Sequence, residues 1–154
     1  LGRGGEKRIH DHIENFQIGK AIKVKSGEKI AIFSTGAIFE EVNAAYDILV
    51  SKGYSPAVYT FMTVKQIDKE VMEDCAKEFE VIVTCEEHNI VGGFGSAVAE
   101  VMAEMQAKKA YLLRIGLNDE YSVKVGNQEY LREQYGMDMV NKAIVRKIEE
   151  TLNV

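Results

Sequence analysis

Between residues 29 and 108 the chain alternates short, almost wholly apolar runs with longer amphipathic stretches. That alternation is the strongest limit on what it can fold into. The runs 29-KIAIFST-35, 57-AVYTFM-62, 80-EVIVT-84 and 110-AYLLRIG-116 have the length of strands and carry apolar residues at successive positions. A strand reads this way when both faces of its sheet are covered. An earlier run, 18-IGKAIKVK-25, alternates apolar and polar residues and is expected to be half-exposed.

The intervening stretches have helical spacing. Ile38, Val42, Ala45 and Leu49 share one face of a helix over 37–52, and Gly53 follows it as a stop. Asp68 is a candidate N-cap, with Ile67 placed to pack on Met72 as a hydrophobic staple. Val71, Met72, Cys75 and Phe79 form the buried face of that helix, and Val98, Val101, Met102 and Met105 that of the next. Two further helices are predicted at about 127–135 and 138–152, the second with Val140, Ile144 and Ile148 inward. The expected fold is α/β, a three-layer α/β/α domain with a mixed, mostly parallel sheet of five strands. Residues 1–15, polar and glycine-rich, read as a linker from a preceding domain, and residues 16–154 as the domain itself.

Bulk properties exclude some functions. The chain has 154 residues, enough for one such core. A net charge of -5 argues against nucleic acid, whose binding needs a basic footprint. No apolar run approaches the roughly 20 residues needed to cross a bilayer, and the first residues lack a signal-peptide pattern. Two cysteines, Cys75 and Cys85, are too few for a disulfide framework and sit in apolar patterns, so reduced, buried thiols and a cytoplasmic setting are expected. His10-Asp11-His12 has two potential metal ligands in what reads as a flexible linker, and a structural or accidental origin is expected over a metal site.

Functional groups in open α/β sheets gather at the carboxyl ends of strands. Three loops qualify: Ser34-Thr35-Gly36, Glu86 to Gly95, and Gly116 to Glu120. The middle one, within 83-VTCEEHNIVGGFGSAVAEV-101, is the richest. As a dinucleotide fingerprint it fails, because the third small residue would fall at Val98 and no acidic residue closes the next strand. Glu86 and Glu87 would also repel a phosphate resting on the following helix. As an acid–base site, Glu86, Glu87 and His88 have no nucleophile at matching spacing. The simpler expectation is that one glutamate caps the helix opening near Ser96 while His88 makes a loop hydrogen bond. Gly92 and Gly93 then supply the turn, and Gly95 allows close packing.

The stretch 83-VTCEEHNIVGGFGSAVAEVMAE-104 resembles the "EEH…GG.GSAVAE" segment of the transketolase C-terminal domain family. Residues 16-FQIGKAIKVKSGEKIAIFSTG-36, 44-AAYDILVSKG-53, 67-IDKE-70 and 113-LRIGLNDEY-121 match the same family in order. One departure is Gln66, where the family commonly has a proline before the Ile/Leu-Asp pair. The expected effect is on loop stiffness.

The resemblance implies strand order 1-3-2-4-5 with strand 1 antiparallel. It implies an enzyme that moves two-carbon ketol units between sugar phosphates, using thiamine diphosphate and a divalent metal. Those cofactors belong to other domains, so none is expected to be bound here, and no catalytic residue is expected in this chain. Partners would be the remaining transketolase domains or subunit, in a homodimer. Arg3, in a segment resembling the family's linker, is the candidate contact for substrate phosphate. The same domain type ends deoxyxylulose-phosphate synthase and the β subunit of 2-oxo-acid dehydrogenases, and histidine at the third position of Glu-Glu-His leans toward transketolase. Two other readings remain: a regulatory ligand-binding module using the carboxyl-end loops, and a protein-docking module.

Overall fold

A computed structural model describes residues 16–119, 123–137 and 143–152. Strands β1 (Ala21–Lys25), β2 (Ile30–Ser34), β3 (Ala57–Phe61), β4 (Val81–Asn89) and β5 (Tyr111–Leu117) form one sheet in the order β1-β3-β2-β4-β5. β1 runs antiparallel to β3, and every other pairing is parallel. The helices are α1 (Phe39–Ser51), α2 (Lys69–Glu78), α3 (Phe94–Glu104), α4 (Gln128–Gln134) and α5 (Ala143–Leu152), with a 3₁₀ turn at Gly36–Ile38 ahead of α1. This is the expected three-layer fold with the expected strand order.

The two-residue period of the strands divides the core. In β2, Ile30 and Ile32 face one side, where they pack with Val42 and Leu49 of α1 and Ile144 and Ile148 of α5. Their neighbours Ala31 and Phe33 face the other, against Met72 of α2 and Val98 and Met102 of α3. Every residue of β2 and β3 is buried, which is why those runs lack polar alternation. On the α2/α3 side, Phe61 links Phe33 to Phe94, with ring centroids 5.0 and 5.1 Å apart. Phe94 is the first residue of α3, so this aromatic chain fixes the helix start against the sheet.

Asp68 caps α2 as expected, accepting from the Val71 amide at 3.4 Å. It also accepts from the Ala21 amide at 2.9 Å, so one buried carboxylate ties the start of α2 to the first residue of β1. Ile67, partly buried, packs against the core cluster that contains Met72. Both cysteines are free and buried.

Three expected boundaries move. β1 starts at Ala21 instead of Ile18: the preceding Gly19 takes φ 80° and donates its amide to Thr63 Oγ1 at 3.0 Å, turning the chain off the sheet edge. The first helix divides into the 3₁₀ turn and α1. β4 continues past Thr84 to Asn89, because after an irregularity in register Asn89 pairs again with Leu117 of β5. Part of the predicted last helix, residues 138–142, lies outside the described residues. Gln66 has φ 65°, which a proline locked near −65° cannot adopt, so the departure at this position changes the path of the loop as well as its stiffness. Among the described residues, no helix is long and apolar enough to cross a membrane.

Candidate functional site

The carboxyl ends of β2, β4 and β5 bring the three predicted loops to one side of the sheet. Glu86 lies at the centre. It is buried, and its two carboxylate oxygens accept hydrogen bonds from the amides of Phe94 (2.6 Å) and Gly95 (2.8 Å), the first two residues of α3. The N-cap position itself is Gly93, which has no side chain to offer. Glu86 therefore reaches across from β4 to satisfy amides that the helix leaves unpaired, and its charge opposes the positive end of the helix dipole.

The surrounding glycines are required by that arrangement. A Cβ on Gly93 would stand 2.2 Å from Glu86 Oε2 and 2.3 Å from the Asn89 carbonyl oxygen. One on Gly116 would stand 3.1 Å from Glu86 Cγ and 2.8 Å from the His88 carbonyl oxygen. Gly95 packs on Thr84, whose Oγ1 would lie 2.7 Å from an added Cβ. Gly92 takes φ 74° in the turn between β4 and α3. Its amide donates to Ser96 Oγ, which in turn donates to the Ile90 carbonyl at 2.7 Å. Arg114 of β5 closes the turn by donating to that same carbonyl and to Ser96 Oγ.

Glu87 points elsewhere. It accepts from Arg132 Nε and from Gln128 Nε2, both on α4. Arg132 is buried and also donates to Glu41 Oε1 (3.2 Å) and to the Ala37 carbonyl (3.1 Å). One guanidinium thus joins the end of β4, the start of α1 and α4. A buried cation without such partners would be strongly destabilising. This is the residue that sequence reasoning missed: α4 is short, and no spacing pattern distinguishes Arg132 from a surface arginine. Its network borders a pocket of about 420 Å³ between α4 and the end of β5, lined by Leu117, Gln128 and Leu131 among others.

His88 is exposed, and its Nδ1 lies 3.2 Å from the carbonyl oxygen of Asn89. Asn89 donates to Asp119 at 3.0 Å and its side-chain oxygen accepts from the Val91 amide, joining the loops after β4 and β5. In the first loop, Ser34 and Thr35 donate their hydroxyls to the carbonyls of Tyr59 and Phe61 on β3. Glu86, Glu87 and His88 therefore do not converge: the first binds a helix end, the second an arginine, and the third faces solvent. The expectation of a loop from Glu86 onward is corrected by the structure, since Glu86 to Asn89 belong to β4 and only the residues after them turn. Arg3 and His10-Asp11-His12 lie outside the described residues.

Residues 19–141 match the family described as "Transketolase, C-terminal domain". The chain belongs to that family. A 1-deoxy-D-xylulose-5-phosphate synthase from Heliobacterium modesticaldum is 36% identical over 146 residues, covering 95% of this chain and 22% of that protein. A "putative transketolase C-terminal section" from Methanocaldococcus jannaschii is 37% identical over 137 residues, 89% of this chain and 41% of that protein. Among solved structures, a split-gene transketolase described as an inactive beta4 tetramer superposes with a TM-score of 0.87 at 28% identity, covering 99% of this chain and 48% of that one. The chain thus spans between about a fifth and two fifths of the length of these curated relatives.

Two substitutions test the architecture of the domain. Glu86→Gln keeps the side-chain shape but turns an amide N–H toward one of the helix amides and removes the charge at the dipole. We expect a loss of about 2–4 kcal/mol in urea unfolding; an unchanged midpoint would contradict the capping role. Arg132→Met leaves Glu41 and Glu87 without their cation and should destabilise by about 3 kcal/mol. A second change, Glu87→Gln, should recover part of that loss, which a double-mutant cycle measures.

Proposed function

We propose that this chain is the C-terminal domain of a thiamine-diphosphate-dependent transketolase, an enzyme that moves two-carbon ketol units between sugar phosphates. On this reading the domain builds and braces the assembled enzyme, and the reacting groups belong to other domains or to a partner subunit. The observation that carries the reading is how the acidic cluster at the carboxyl ends is engaged. Both oxygens of Glu86 are bonded to the start of α3, and Glu87 is held by Arg132 and Gln128. A general acid or base must be free to meet the proton it transfers, and these two carboxylates are committed to the fold.

The residues present do not fit the diphosphate of the cofactor. The N terminus of α3 is the position in this loop best suited to an anion, and the Glu86 carboxylate fills it. The proposal therefore assigns thiamine diphosphate and its divalent metal to the rest of the enzyme, and no step of the chemistry is routed through this chain. It further takes residues 1–15 as the linker from the preceding domain, Arg3 as a contact for substrate phosphate, and a cytoplasmic homodimer as the working form. Support for an assembly of separate parts comes from the split-gene transketolase, to which 99% of this chain superposes.

A second reading has its own support. The curated relatives of this chain include several 1-deoxy-D-xylulose-5-phosphate synthases at 32–38% identity. The experiment that separates the two is product analysis of the complete enzyme, supplied with thiamine diphosphate, magnesium, sugar phosphates and pyruvate, the 2-oxo acid whose decarboxylation would provide the acetyl unit of a 1-deoxy sugar. We expect ketol transfer by the complete enzyme and none by this chain alone. Formation of 1-deoxy-D-xylulose 5-phosphate would replace the first reading by the second. Micromolar binding of thiamine diphosphate to this chain alone, read by calorimetry, would overturn the assignment of the cofactor to other domains.

A further inference from the structure

The two edges of the sheet differ in how they meet solvent. At one edge, β1 carries Lys23 and Lys25, follows Lys20, and has its register with β3 interrupted between Lys23 and Lys25. Lysines and an irregular register keep an edge from pairing with a further strand. The other edge, β5, reads YLLRIGL, with neither lysine nor proline. Its one charge is turned back onto its own domain, where the Arg114 guanidinium donates to the Ile90 carbonyl and to Ser96 Oγ. Among the described residues no strand lies beyond β5.

The backbone and the charges along this edge select a partner. The Tyr111 amide donates to the Glu80 carbonyl, at the entry to β4, and β5 runs parallel to β4. Successive residues of a strand direct their N–H and C=O groups to opposite sides, so those of Leu112 and Arg114 point away from β4. The Tyr111 side chain is 62% exposed, and with Leu113 it walls an apolar groove of about 480 Å³ between β5 and α5. Lys108 and Lys109 lead into the strand, and Asp119 follows it, all three exposed. A strand with a basic entrance and an acidic exit complements a second copy of itself in one sense only. Parallel copies set lysine beside lysine, whereas antiparallel copies bring the lysines of each to the aspartate of the other.

We propose that β5 pairs with β5 of a second copy of this chain, antiparallel about a two-fold axis through Leu113, joining the two five-stranded sheets into one. In this register Leu112 of each copy exchanges both backbone hydrogen bonds with Arg114 of the other. The two Leu113 side chains meet at a non-hydrogen-bonded position, where side chains approach most closely. Tyr111 comes to lie opposite Ile115 of the other copy, and Lys109 lies diagonal to its Asp119. The axis is perpendicular to the sheet, so both copies of α5 stay on one face and the two grooves open toward each other over Leu113. Such a contact is isologous and closes at the dimer. It needs this chain alone and does not depend on which reaction the complete enzyme performs.

The test is sedimentation equilibrium of the intact chain over a range of concentrations, with urea unfolding of each variant as the control for folding. We expect a monomer–dimer equilibrium with Kd in the micromolar range. Tyr111→Lys, at an exposed position, should raise Kd about tenfold or more. Lys109→Glu should raise it about fivefold, and Asp119→Lys added to the same chain should return it close to the starting value. A monomer at every concentration would overturn the proposal, including one whose β5 amides resist hydrogen exchange, since another part of the chain would then cover the edge. So would a dimer that Tyr111→Lys leaves unchanged, or one in which Asp119→Lys fails to compensate Lys109→Glu.

Discussion

The carboxylate of Glu86 on the first two amides of α3 is the contact around which the rest of this domain is arranged. It closes the passage from β4 to α3, and it does so from a buried position where an unpaired carboxylate would be costly. The geometry leaves no room for side chains at Gly93 and little at Gly116, and it needs a turn through Gly92 in the left-handed region. Phe94 then enters the aromatic chain with Phe61 and Phe33, so the capped helix start and the core hold each other in place.

This arrangement explains why residues that look reactive in the sequence serve the fold. Adjacent Glu86 and Glu87 sit on a strand, where successive side chains leave on opposite faces. One therefore meets α3, and the other meets Arg132 and, through it, Glu41 at the start of α1. Two separate structural contacts result from one dipeptide. Among the described residues Thr84 Oγ1 is buried without a hydrogen-bond partner beside Gly95, a sign of how tightly the strand and helix approach there.

The layers, the strand sequence and the Asp68 cap were legible because they rest on local pattern: period two in the strands, period 3.6 in the helices, and an acidic cap before an apolar face. The strand order came from family resemblance, since periodicity does not order parallel strands. In the candidate site, a capping glutamate could be anticipated from the acids ahead of a helix lacking a side chain at its N-cap. That Glu86 is the one depended on β4 continuing to Asn89 across a register irregularity, which a tertiary pairing with Leu117 imposes. Arg132 was not legible. Its partner Glu41 is 91 residues away, and only the packed fold shows that the two meet in a buried place.

The central claim of the proposed reading is that Glu86 and Glu87 brace the domain and that none of Glu86, Glu87 and His88 takes part in proton transfer. His88 gives the most direct test, because it is exposed and among the described residues its ring bonds to a backbone carbonyl, so its removal is expected to leave the fold intact. The measurement is kcat for the complete enzyme carrying His88→Ala, beside the unmodified enzyme. The account predicts values within about twofold of each other, whereas loss of a general acid or base lowers the rate by about 100-fold or more. A fall of that size, with unfolding unchanged, would contradict it.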